Sequence, residues 1–155
     1  MIRTISFHFF TAVILLVAAV SSVQAQPAIP GYAAVYAPEA AFEECRGATA
    51  ADALACATKA CAAAVGSADD CYTLVACDAG GWAAIMGVML EEIHFTTASC
   101  GAPTREAAIE EMKARCAGYL PHMQECWLSR VIPLHGDEDA AEAVEISWSK
   151  ADFEG

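Results

Sequence analysis

Two triplets of cysteines recur at one offset. Cys45, Cys61 and Cys71 are separated by sixteen and ten positions, and Cys100, Cys116 and Cys126 repeat the same sixteen and ten, so counterparts lie 55 residues apart. Upstream of each triplet stands a second matching element, GYAAVYA from Gly31 and GWAAIMG from Gly81, with Gly, an aromatic, Ala-Ala and a β-branched residue in the same order. The second unit is five residues longer between that element and its first cysteine. Self-similarity at a fixed period marks a tandem duplication, and it restricts the fold to one supersecondary unit used twice.

Each unit parses alike. The segments after Thr49 (ADALACATKAC) and after Thr104 (REAAIEEMKAR) are rich in Ala, Glu, Lys, Leu and Met, which are strong helix formers. Thr49 with Asp52, and Thr104 with Glu106, supply N-terminal caps and early acidic residues, while Gly66 and Gly118 are placed as left-handed stops. A β-rich run follows each stop, CYTLVAC from Cys71 and CWLSRVI from Cys126. The Gly-aromatic-Ala-Ala elements and IHFTTAS before Cys100 also read as strands. The expected class is α+β: two tandem β-β-α-β units, with helices packed on antiparallel sheet and stapled by disulfides.

The chain opens with Arg3, an apolar run through AVILLVAAV, and small residues ending at Val23-Gln24-Ala25. That is the layout of a cleaved secretory signal. The apolar run is shorter than the roughly 20 residues a bilayer requires. The expected organisation is a signal peptide over 1–25, one disulfide-rich domain over 26–133 with repeats at about 31–77 and 81–132, and an acidic tail over 134–155. No cysteine lies near the cleavage point to take a lipid, so the expectation is a soluble secreted or periplasmic protein, with no membrane span in its mature form. All eight cysteines lie beyond the signal, an even number in an oxidising compartment, which predicts four disulfides. No C-x-x-C occurs, and His94, His122 and His135 are scattered, so neither a metal site nor a cofactor is expected.

Geometry narrows the pairing. A helix from 49 to 61 is about 18 Å long at 1.5 Å per residue, which disfavours Cys45–Cys61 and Cys100–Cys116. Cys56 and Cys61 lie on different sides of that helix and need separate partners. A helix end and the start of the next strand are close, which favours Cys61–Cys71 and Cys116–Cys126. Cys45 and Cys100 occupy equivalent places, so they are expected to join the two units, leaving Cys56 for Cys77.

The pattern of Thr104-Arg105, Ala108, Cys116 and then Cys126 leading a strand resembles the repeat of the secreted bacterial domains known as domain of unknown function 4189. Thr49, Ala53, Cys61 and Cys71 match it again, and YAAVYAP is similar to that family's opening strand. The resemblance covers residues 31–132. It departs at Thr58 and Lys113, where the family favours Leu, and at Cys45, Cys56 and Cys100. It implies an exported domain and brings no catalytic residues.

The formal charge of −12 makes nucleic acid and anionic lipid poor partners and favours a basic exported protein or peptide. Much of that charge lies in GDEDAAEAVEISWSKADFEG, which reads as a solvated acidic end. Within it Val144, Ile146 and Trp148 alternate with polar residues, as on an edge strand that could pair at home or with another chain, and are the candidate partner contacts. The carboxylate pairs Asp69-Asp70, Glu91-Glu92 and Glu110-Glu111 are chain neighbours that point apart, and no nucleophile elbow or phosphate loop appears, so no catalytic residue is assigned. Trp82, Trp127 and Tyr72 are expected in the core. The composite expectation is a non-enzymatic binding or protective module, such as an inhibitor or immunity protein for a basic envelope partner; the alternative is a hydrolase of envelope polymers.

Overall fold

The computed structural model describes residues 30–78, 80–135 and 141–154. The expected signal peptide lies outside these residues. The order is β1 (Gly31–Ala37), β2 (Ala41–Gly47), α1 (Ala50–Val65), β3 (Tyr72–Cys77), β4 (Trp82–Leu90), β5 (His94–Ala102), α2 (Arg105–Ala117), β6 (Met123–Pro133) and β7 (Glu142–Ser149), closed by a 3-10 turn over Lys150–Phe153. The chain is α+β, and each unit is β-β-α-β. One antiparallel sheet has the order β2-β1-β3 and the other β5-β4-β6-β7, so the second repeats the first and adds a strand.

Four layers follow from where the apolar residues point. Along β1, Ala33, Val35 and Ala37 face α1 with Ala53, Ala57 and Cys61, whereas Tyr32 and Ala34 face the other sheet. Along β4, Ala84, Met86 and Val88 face α2 with Ala108, Met112 and Cys116, whereas Ala83 and Ile85 meet Tyr32 and Ala34 between the sheets. The helices therefore lie outside and the two sheets pack face to face within. A central strand covered on both faces carries small and branched residues without polar alternation, which explains the Ala-Ala steps. Thr49 and Thr104 cap the helices, accepting from the Asp52 and Ala107 amides at 3.1 Å each. Gly66 ends α1 in the left-handed region as expected; Gly118 keeps a right-handed conformation, and the chain turns on through 119–122 instead.

Strand pairing corrects the repeat alignment by one residue. Tyr32 stands opposite Arg46 and Cys77, and the residue in that place on β4 is Ala83, opposite Cys100 and Ile132. Gly31 thus corresponds to Trp82 rather than Gly81. The shift is absorbed at Gly101, a left-handed residue with φ 89° that bulges out of β5 between the pairs Ala83–Cys100 and Trp82–Ala102. A slip of one residue turns a side chain to the opposite face of a sheet. Cys45 therefore faces α1, and the residue that matches it is Ser99, opposite Ala84. Cys100 faces the other sheet.

The disulfides follow from these faces: Cys45–Cys56, Cys61–Cys71, Cys77–Cys100 and Cys116–Cys126. The two helix-to-strand bridges are as expected. Cys45–Cys100 and Cys56–Cys77 are corrected, because Cys45 points to its own helix and only Cys100 reaches the facing sheet. Of the two pairings open to the strand within the acidic tail the structure shows the home one: residues 142–149 form β7 paired to β6, and that stretch is not a solvated end.

Candidate functional site

The sequence-derived contact residues are drawn into the molecule. Trp148 is buried in the core beneath α2, and Val144 and Ile146 pack against the same cluster. Alternation along β7 thus serves the home sheet, since the apolar positions sit opposite β6 on the face that α2 covers. All eight cysteines are bridged. The carboxylate pairs at 69–70, 91–92 and 110–111 are exposed, as is His94, which lies in a groove with Glu39. Glu111 pairs with Arg115 at 3.1 Å one turn on.

Two arrangements are built by the facing sheets. The first is a polar junction where β2 crosses β6. Arg46 donates to the backbone oxygens of Pro133 at 2.8 Å and Leu134 at 3.1 Å. Glu44 accepts from the Tyr32 hydroxyl and pairs with Arg130, whose guanidinium lies 5.2 Å over the Phe42 ring. Tyr32, Glu44, Arg46 and Arg130, with Cys45, Ile132 and Ala141, line a cleft of about 150 Å³. Burial, reinforced by the charge and hydrogen bond of Glu44, pushes the Tyr32 phenol above its ordinary range, against the opposing influence of Arg130 and Arg46. Every charged group of this cleft already has a protein partner, so its chemistry is that of a clasp between sheets. Arg46 occupies the place that Cys100 holds in the second unit, so one edge of the sandwich is joined by hydrogen bonds and the other by a disulfide.

The second arrangement lies at the end where the hairpins turn. Here the second hairpin runs on past the first. Ala37 faces Ala41 and the chain turns at once through 38–40, whereas the matching pair Val88–Phe95 is followed by a further pair, Met89–His94. The inner faces of both sheets are left open at this end. Tyr72 on β3 and Trp127 on β6 occupy matching positions, opposite Tyr36 and Gly87 respectively. Tyr72 is 54% and Trp127 37% exposed, contrary to the core placement expected of both. Trp82, the third aromatic, is partly buried against the core and meets the His135 ring edge-on.

Each exposed ring has a rigid seat. Tyr72 lies 6.0 Å from the Tyr36 ring. Trp127 lies over Gly87, where an added Cβ would come within 2.1 Å of the indole. Glycine at 87 therefore makes room for the ring, and its absence of a side chain was the sequence signal for that seat. Carboxylates stand beside the aromatics: Glu39 lines a groove with Tyr36, His94 and Thr96, Asp70 lines another with Tyr72 and Pro38, and Glu125 lies two residues before Trp127 on the same strand. Glu39 holds its place in the left-handed region at φ 59°, a conformation usually left to glycine.

Among the described residues no three His, Cys, Asp or Glu side chains gather as a metal site, and no helix is long and apolar enough to cross a membrane. Comparison of the chain with family models, with curated proteins and with solved structures finds no match.

Proposed function

We propose that the chain is an exported, non-enzymatic binding module whose partner is a basic protein or peptide, acting as an inhibitor or immunity protein does by occupying that partner. The observation that carries the reading is the exposure of Tyr72 and Trp127 at matching strand positions, with Asp70 lining a groove with Tyr72 and Glu125 two residues before Trp127 on its strand. Aromatic faces beside carboxylates attract ammonium and guanidinium groups by cation–π and ionic contact together. Anchors of this kind, held rigid before binding, lose little side-chain freedom on contact. The net charge of −12 adds long-range attraction for a basic partner. Three disulfides tie a helix to a strand and a fourth ties one sheet to the other, and they fit a chain that works in an oxidising compartment. The resemblance to the exported family of unknown function points the same way on compartment.

The test is the rate at which the mature protein binds a lysine-rich probe peptide, compared with a glutamate-rich one. Association with the lysine peptide should slow as salt rises while dissociation changes less. Tyr72→Ala and Trp127→Ala should each weaken binding by about tenfold, equivalent to about 1.4 kcal/mol. Indifference to salt and to both substitutions would sink the proposal. Turnover of peptidoglycan or another envelope polymer would replace it with the hydrolase alternative.

A further inference from the structure

The two units differ at one edge. In the second, β7 lies along the outer edge of β6, and its Val144, Ile146 and Trp148 close the core under α2. In the first, the matching edge belongs to β3, and among the described residues no strand pairs with it. Side chains at matching positions follow that difference. Leu128 and Val131 of β6 are 1% and 0% exposed beneath β7 and α2, and their counterparts by pairing are Thr73, opposite Val35, and Ala76, opposite Ala33. Thr73 and Ala76 are both exposed.

We infer that the outer edge of β3 accepts an added antiparallel strand from a basic partner, in the position that β7 takes on β6. The inference rests on the proposed binding role and gives it a mode of contact. β3 presents Tyr72–Cys77 without one charged residue, whereas β2 and β7 carry glutamates within the strand and β5, also free of Asp, Glu, Lys and Arg, is broken by the bulge at Gly101; charges and bulges are how edges are guarded against unwanted pairing. Strand addition supplies backbone hydrogen bonds for affinity, and alternate side chains supply selectivity. On this edge one side of the incoming strand would lie over Thr73 and Ala76 beside α1, and its ends would meet charge. Asp69 and Asp70 stand exposed at one end of β3. At the other end Asp78 accepts from the Ala50 amide at the start of α1. Two copies of β3 paired antiparallel would bring these acidic ends together, so the occupant that fits is an extended segment with alternating apolar residues and flanking lysine or arginine. Tyr72, at the start of β3, makes this edge continuous with the exposed aromatic end.

The probe is the β7 sequence itself, EAVEISWS, together with KAVQISWK, in which lysine stands at both ends and glutamine replaces the inner glutamate; by the pairing of β7 on β6 the last position falls opposite Asp70 and the first near Asp78. Hydrogen exchange and amide shifts of the full mature protein are followed as each peptide is added. The expected result is protection of alternate amides within 72–77, with the lysine peptide bound about fivefold more tightly at low salt, as two surface charge pairs provide. Thr73→Lys, an exposed change, should abolish that protection and leave the spectrum of the free protein otherwise intact. Binding of the lysine peptide that perturbs Tyr36 and Trp127 without protecting β3 overturns the inference and leaves the binding role standing. Failure of any lysine-bearing peptide to bind anywhere on the protein overturns both. A dimer in sedimentation that dissociates on Thr73→Lys overturns it in favour of a second copy of the chain.

Discussion

Cys45 and Ser99 occupy the same place in two copies of one structural unit. Each stands opposite an alanine of a central strand, Ala33 and Ala84, and each faces the helix of its own unit. Cys45 bonds Cys56 of α1. Ser99 is buried to 3%, and its hydroxyl has no hydrogen-bond partner. The residue 55 positions after Cys56 is Glu111, so the second unit lacks both halves of the first unit's bridge.

Restoring that bridge is the most direct check on the matched positions. Ser99→Cys with Glu111→Cys should oxidise to a fifth disulfide, leaving no thiol to alkylation, and should raise stability by about 3 kcal/mol on the chain-entropy treatment of a loop this short. Two thiols that remain free under oxidising conditions would show that the units do not match at this point.

Cys77–Cys100 is the one disulfide that joins the two sheets. Replacing both with alanine should lower stability by about 3 kcal/mol, read from urea midpoints, because the closed loop spans 23 residues. The far-ultraviolet spectrum should hardly change, since the other three bridges lie within units. Peptide mapping of the unreduced protein should recover Cys45–Cys56 and Cys77–Cys100 as separate fragments, and a Cys45–Cys100 fragment would contradict the β5 bulge.

Gly87→Ala should displace the Trp127 ring. The new methyl would occupy space now filled by the indole, at a cost of about 1–3 kcal/mol as in other overpacked sites. Tryptophan emission should shift to the red as Trp127 moves into water, and the effect should vanish in a Trp127→Phe background. An unchanged spectrum would mean that the ring does not lie on Gly87.

Tyr32 predicts a loss of stability in alkali. Its folded-state pKa is raised above the ordinary 10.0, mainly by burial and then by Glu44. The neutral phenol is therefore favoured by the fold. Its contribution is full below pH about 10 and is lost as pH rises beyond, because the unfolded chain ionises there first. Absorbance of tyrosinate should report Tyr32 only with unfolding. Tyr32→Phe should flatten the dependence of stability on pH above 10 while weakening the Glu44 junction at neutral pH.

Much of this architecture was legible in sequence because it is local. Cys61–Cys71 and Cys116–Cys126 connect a helix end to the next strand, and counting residues is enough to bring those ends together. Thr49 and Thr104 announced the helix starts for the same reason. Counting fails where the face of a strand matters. The equal spacing of Cys45 and Cys100 concealed the bulge at Gly101, which turns one toward a helix and the other toward a sheet. Alternation at Val144, Ile146 and Trp148 identified a strand, but whether its apolar side meets a partner or its own helix depends on α2, which is distant in sequence. The seat of Trp127 was hidden in the same way, since only the pairing of β4 with β6 brings Gly87 beneath it.

The disulfides also have an order along the chain. Every cysteine is bonded to the next one, and no bridge encloses or interleaves with another. Eight cysteines allow 105 connectivities, and this is the one in which a chain threaded from its N-terminus into an oxidising space would bond each unpaired cysteine to the next to arrive. On that route Cys45–Cys56 and Cys61–Cys71 would close before any cysteine of the second unit arrived. Cys77 is then the sole thiol waiting, and Cys100 is the next to appear. On such a route each pair of the first unit would be consumed before its look-alike arrived, so this connectivity keeps the unit from cross-oxidation with its own copy.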